Sequence, residues 1–252
     1  MDERILLEAV VRAGELMLVS GAEVYRVEDT MKHMLARSGY QSTETIVLAT
    51  GIFVSLDDPD REPLTLAKRI SQRSCNINRI YRVNDVSRRF CSGCISAKEA
   101  LKELDAISCE VQYGPWMKAF GFIGVSVFFT PVFGGGFYDF FGAIIVGVCL
   151  ALADRLIKYI RLNDFCINAF CAFVVSLTAS LLEGAAPEYL NAEVMTISAI
   201  MTLVPGVTFT TAIRDTLNGD YGAGSARMLE AIVVALAVSA GVGCGLLLYR
   251  AI

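Results

Sequence analysis

The sequence predicts an α+β N-terminal domain in the cytosol, residues 1–115, followed by an all-α transmembrane bundle of five helices, residues 116–252. Two observations carry this. The first is charge segregation: residues 1–115 hold 15 of the 22 Lys+Arg and 17 of the 26 Asp+Glu, leaving seven and nine for the remaining 137 positions. The second is that five long uncharged runs all fall in the charge-poor region. A mean hydropathy of +0.53 agrees, as does a charged fraction of 19%, below the roughly 25% of soluble domains.

A span needs about 20 mainly apolar residues. Ala119–Tyr138, Phe165–Leu182, Val194–Ile213 and Ala231–Tyr249 are uncharged for 20, 18, 20 and 19 residues. Phe140–Ala153 has only 14, and reaches spanning length if Arg155 and Lys158 snorkel. The expected spans lie near 117–136, 138–157, 165–182, 194–213 and 231–249. Lys118, Arg155, Lys158, Arg161, Arg214 and Arg227 fall on one side, which predicts a cytoplasmic N-terminus and an outside C-terminus in a cell (inner) membrane. The start, Met1-Asp-Glu-Arg, lacks a signal peptide's basic n-region and apolar core.

In the N-terminal region, Glu3–Val19 puts Ile5, Leu6, Ala9, Val10, Ala13, Leu16 and Met17 on one helical face. Ser20 and Glu23 have capping-box spacing for a second helix running to about Arg37. Thr43–Leu56 reads as one or two strands, Leu64–Ile70 as a third and Ile77–Val83 as a fourth. Asn84–Phe90 and Ala97–Ile107 read as short helices, the latter with Ser96 as N-cap.

Motifs for enzyme chemistry are missing. GxSxG, HExxH and P-loop patterns are absent, and the single His33 has no nucleophile beside it in pattern. No catalytic residue, cofactor or metal is expected: Cys91-Ser-Gly-Cys94 lacks the further ligands that a structural zinc needs. The net charge of −4 without a basic stripe excludes nucleic acid.

The fourth expected span contains Leu203-Val204-Pro205-Gly206-Val207-Thr208-Phe209-Thr210-Thr211. Proline removes a helical hydrogen bond, and in hydrocarbon the freed carbonyl must find a partner. A discontinuous helix of this kind forms binding sites in transporters, which makes Pro205, Gly206, Thr208, Thr210 and Thr211 a candidate substrate path. The alternative is an ordinary kink satisfied by Thr208. Arg214 and Asp215 are candidates for a gate, pairing with Arg227 or Glu230, or else a solvated salt-bridge cluster. No carboxylate marks the middle of a span, so coupling would fall to Asp139 or Glu230 at an interface, or to a partner.

Ala13-Gly-Glu-Leu-Met-Leu-Val-Ser-Gly-Ala-Glu-Val-Tyr-Arg-Val-Glu-Asp29 resembles the opening motif of the threonine/serine exporter family. Leu203-Val-Pro-Gly206, Ala212-Ile-Arg-Asp215 and Gly219-Asp220 resemble its membrane motif. Val83-Asn84 and the helix after Ser96 also fit. The resemblance implies a secondary exporter of threonine and serine. By themselves Glu23, Arg26, Glu28 and Asp29 form a plain charged helix face; the resemblance makes Gly21, Glu23, Tyr25, Arg26 and Glu28 part of a motif with a role in docking or gating. Single-chain members carry a second membrane domain. The split form takes it from a small membrane protein of about 150 residues, room for roughly five spans, and is connected with succinate export. Expected partners are thus that subunit, the bilayer and further copies of the chain. The functions competing with export are a membrane-anchored hydrolase and a metabolite sensor.

Overall fold

Helix α1, Glu3–Val19, buries the apolar face that its spacing predicts. It belongs to a computed structural model that describes residues 3–70, 74–159 and 162–252. Arg161, counted above in a basic connector, and the Met1-Asp2 start lie outside the described residues. The chain divides into two compact units, Met1–Glu110 with Val207–Leu229, and Val111–Gly206 with Glu230–Ile252.

In the first unit, α1 ends in a Schellman turn. Gly21 takes φ +89°, and Ala22 N–H donates to Met17 O at 3.1 Å while Gly21 N–H donates to Leu18 O at 3.2 Å. Helix α2, Val24–Leu35, follows. The expected Ser20–Glu23 capping box is not formed. Ser20 is consumed in the α1 turn, its buried hydroxyl has no hydrogen-bond partner among the described residues, and Glu23 is itself the cap residue without a side-chain capping bond.

Strands β1 (Ser42–Leu48), β2 (Gly51–Asp57) and β3 (Leu64–Arg69) form an antiparallel meander. Leu48 lies opposite Gly51 across a two-residue turn. Thr45, Val47, Ile52, Val54 and Leu56 face the core, as period-2 alternation requires.

The expected fourth strand, Ile77–Val83, is instead the start of helix α3, Ile77–Cys91. Asn76 caps it, accepting from Arg79 N–H at 2.9 Å. Ile80, Val83, Val86 and Phe90 recur at helical spacing and pack on the core. The expected helix Asn84–Phe90 is its second half. Helix α4, Ala97–Cys109, has the full Ser96/Glu99 capping box. Cys91 closes α3, and Cys94 donates its N–H to Arg89 O in the turn after it. Among the described residues no cluster of His, Cys, Asp or Glu could hold a metal ion.

The second unit holds α5 (Pro115–Phe129), a 3₁₀ turn (Pro131–Phe133), α6 (Phe137–Tyr159), α7 (Asp164–Ala185) and α8 (Ala192–Ile200). Val146, Leu150, Cys171, Val175, Met195 and Ala199 make its core. Glycines permit close approach: a Cβ on Gly147 would lie 2.9 Å from Ile123 Cα, and one on Gly241 2.1 Å from Ala169 O. Helices α9 (Gly206–Leu217) and α10 (Tyr221–Ala251) complete the chain.

Among the described residues four segments are long and apolar enough to cross a membrane: Pro115–Phe133, Phe137–Tyr159, Asp164–Ala185 and Tyr221–Ala251. The expected span 194–213 is not one continuous helix. It is α8 and α9, of 9 and 12 residues, separated by a non-helical stretch ending at Pro205. Neither piece reaches 30 Å at 1.5 Å per residue. Four apolar segments of spanning length are thus found among the described residues, and the expected fourth span is two short pieces in place of a fifth.

Candidate functional site

The two motifs that lie furthest apart in the sequence meet in the first unit. Helix α2 starts with unpaired backbone N–H groups and no local cap. Asp215 on α9 supplies the acceptor: its Oδ1 takes the Val24 N–H at 3.2 Å, across 191 residues. A carboxylate suits this place because the positive end of the helix dipole favours an anion. Arg227 on α10 holds Asp215 in turn, with Nη1 at 3.3 Å from Oδ2, and donates from Nη2 to Ala22 O at 2.7 Å. Asp215 is 1% exposed and Arg227 3%. This is a buried pair and not a solvated cluster.

A second pair lies beside it. Arg214 Nη1 donates to Glu23 Oε1 at 2.8 Å, and Arg26 Nη1 donates to Glu23 Oε2 at 3.3 Å. The link from α9 to α10 is tight. Gly219 takes φ +89°, and Asp220 accepts from Ala223 N–H at 2.9 Å. A Cβ on Gly224 would lie 2.2 Å from Thr216 Oγ1.

The two carboxylates are tuned in opposite directions. Burial pushes Glu23 up, but a bond from its own backbone and the charges of Arg214 and Arg26 outweigh it and hold it below the usual carboxylate range. Burial pushes Asp215 above that range, against the pull of Arg227 and the Val24 N–H.

A cavity of about 550 Å³ opens beside the Glu23–Arg214 pair, between α2, α3 and α9. This is within the size range of small-molecule sites. Gly21, Glu23, Arg26, Thr210, Thr211 and Arg214 of the expected site residues line it. Thr210 and Thr211 both turn their hydroxyls to Val207 O, at 3.0 and 2.8 Å. Thr208 is half-buried and does not line this cavity. Pro205 and Gly206 mark the helix break.

Other expected site residues have different roles. Glu28 accepts from Val47 N–H at 3.1 Å, tying α2 to β1, and Tyr25 is exposed. Asp139 is buried in the second unit, where it accepts from Gly136 N–H at 2.8 Å and Asn191 N–H at 2.7 Å. It fastens the start of α6 to the loop before α8. Glu230 falls in the second unit. Of the pairings expected for Arg214 and Asp215, the one between Asp215 and Arg227 forms. Glu23 as the partner of Arg214 was not legible in sequence order. Asn84 and Arg88 on α3 also line the cavity; Val83-Asn84 in the motif comparison was the only pointer to that helix.

The family described as “Putative threonine/serine exporter” matches residues 8–249. A Mycobacterium tuberculosis protein named “Probable threonine/serine exporter” is 25% identical over 249 residues, covering 96% of this chain and 46% of that protein. The Escherichia coli “Probable succinate transporter subunit YjjP” is 24% identical, with 96% of this chain and 93% of that protein covered. “Pheromone-regulated membrane protein 10” of Saccharomyces cerevisiae is 22% identical, with 95% and 31% covered. The chain thus spans less than half the length of the first of these relatives and nearly all of the second. No solved structure matches it.

Proposed function

Since the chain belongs to the threonine/serine exporter family, we propose that it is a subunit of a secondary exporter moving small polar metabolites, threonine and serine first, out of the cell. The observation that carries this is the break between α8 and α9. The chain leaves an apolar helix through turns in which Leu203 and Val204 N–H donate to Ile200 O at 2.8 and 3.1 Å, is interrupted at Pro205, which has no N–H to continue the series, and resumes in a helix whose Thr210, Thr211 and Arg214 line a polar cavity. Pro205, Gly206 and Thr208 precede them on the same path. Arg214 and Asp215, held by Glu23 and Arg227, form the gate.

Residues 1–115 are the cytosolic domain in this reading, and residues 194–213 are a broken fourth crossing that ends before Arg214 and Asp215. Five crossings put the N-terminus inside and the C-terminus outside. The second half of the transporter comes from a companion membrane protein of about 150 residues, room for roughly five spans. Asp139 and Glu230, each at an expected span end, stand as coupling candidates. A second reading is a dicarboxylate exporter, favoured by the subunit-length relative named for succinate. The hydrolase and sensor readings lose ground because the matched family is one of exporters.

Coexpression with the companion in vesicles, followed by threonine, serine and succinate flux, tests the proposal. Threonine and serine flux is expected. Succinate flux alone shifts the reading to the dicarboxylate form, and no flux of any of the three with both subunits folded overturns it.

A further inference from the structure

The cavity between α2, α3 and α9 holds more positive charge than its own carboxylates neutralise. Arg26, Arg88 and Arg214 face Glu23 and Asp85 across it. Glu23 is occupied by Arg214 at 2.8 Å and Arg26 at 3.3 Å. Asp85 is drawn off by Arg89, at 2.9 Å. Arg88 is left over: among the described residues no hydrogen bond or ion pair involves its guanidinium. It also lines a neighbouring cavity of about 330 Å³, again with Arg26 and Asn84.

We propose that Arg88, flanked by Arg26 and Arg214, binds the carboxylate of a small polar metabolite in this cavity, and that this carboxylate competes with Glu23 for Arg214. A guanidinium presents a planar fork that matches a carboxylate with two parallel hydrogen bonds. Asn84, one helical turn before Arg88, and Tyr81 supply neutral donors and acceptors for the rest of the ligand. With Glu23 shared between Arg214 and Arg26 and Asp85 held by Arg89, the cavity favours an anionic group, and the planar fork of Arg88 favours a carboxylate over a tetrahedral phosphate. The class of metabolite rests on the exporter reading. Amino acids and dicarboxylates share the carboxylate, and the test separates them.

Full-length chain purified in detergent is titrated with L-threonine, succinate, succinamide and inorganic phosphate. Saturable binding of threonine or succinate is expected, and which one binds identifies the source. Succinamide, without a carboxylate, should not bind. Arg88→Gln, an exposed change that leaves folding intact, should weaken binding about tenfold or more, the loss of one charge-assisted contact. Arg82→Gln, on the same helix but outside this cavity, should leave it unchanged. Glu23→Gln should tighten binding by freeing Arg214.

The proposal is overturned if neither carboxylate binds, if phosphate binds more tightly than both, or if Arg88→Gln binds as the unaltered chain does. Flux in companion-containing vesicles separates the two readings. Unaltered flux from Arg88→Gln overturns this site while the exporter stands.

Discussion

Arg227→Met is the sharpest test of how α9 and α10 are fastened to α2. The substitution keeps volume and removes the charge beside a 1% exposed carboxylate, together with the donor to Ala22 O. Removing one member of a buried ion pair costs about 3–5 kcal/mol, because the other charge is left uncompensated. At about 2–4 °C per kcal/mol for a chain of this size, the melting temperature should fall by roughly 6–20 °C.

The deficit depends on pH with a definite sign. Asp215 is already raised in the folded chain, so its contribution to stability is full below its unfolded pKa and is lost as pH rises through the folded value. Without Arg227 that loss deepens. The deficit should be largest at alkaline pH and shrink as pH falls toward about 4, the ordinary value for Asp. Adding Asp215→Asn removes the stranded charge while keeping an acceptor for the Val24 N–H, and should restore about 1–3 kcal/mol relative to the sum of the single changes. Thermal melts of the four proteins across pH measure this. A pH-independent deficit, or a double variant as unstable as the sum of the singles, would refute the assignment of the loss to a buried charge.

Glu23→Gln should cost only about 1 kcal/mol, because its partner Arg214 is 67% exposed and screened. Glu23 is lowered in the folded chain, so this difference should be present at neutral pH and vanish as melts are taken below the folded pKa. Gly21→Ala should cost about 1–2 kcal/mol for the left-handed backbone, with a Cβ placed 3.2 Å from Ser74 O adding to it; a melt at neutral pH reads this. Pro205→Ala should let helix run through the break, since Pro is about 3 kcal/mol worse than Ala in a helix. Flux in vesicles is expected to fall while the melting temperature holds or rises, and unchanged flux would reduce the break to a structural kink.

Elements with local signals were legible in the sequence. Helix α1 runs over the stretch that its apolar spacing marks, and Ser96 with Glu99 sits three residues apart and caps α4. Strand β3 follows from alternation alone. Ile77–Val83 is too short to show its period: the helical spacing emerges only when Ile80 and Val83 are taken with Val86 and Phe90, and Asn76 decides for helix by capping it. Ser20–Glu23 has the right spacing for a capping box, but the Schellman turn at Gly21 has prior claim on that backbone.

The site itself was legible only in pieces. Both motifs were visible, yet the cap of α2 comes from Asp215, and no local rule searches 191 residues away for it. The partner of Arg214 was hidden for the same reason. The helix break was visible at Pro205 because proline's chemistry is local. That Val207–Leu229 packs with residues 1–110 depends on side chains meeting across the fold, which periodicity does not encode.

Helix α10 has 31 residues, about 46 Å at 1.5 Å per residue. A hydrocarbon core of about 30 Å accommodates roughly 20 of them. In the exporter reading the uncharged run Ala231–Tyr249 fills that length, which leaves the first ten residues, Tyr221–Glu230, outside the lipid tails. Arg227 is on this overhang. On that reading its bond to Asp215 is enclosed by packed protein, with the two residues 3% and 1% exposed, and not by lipid.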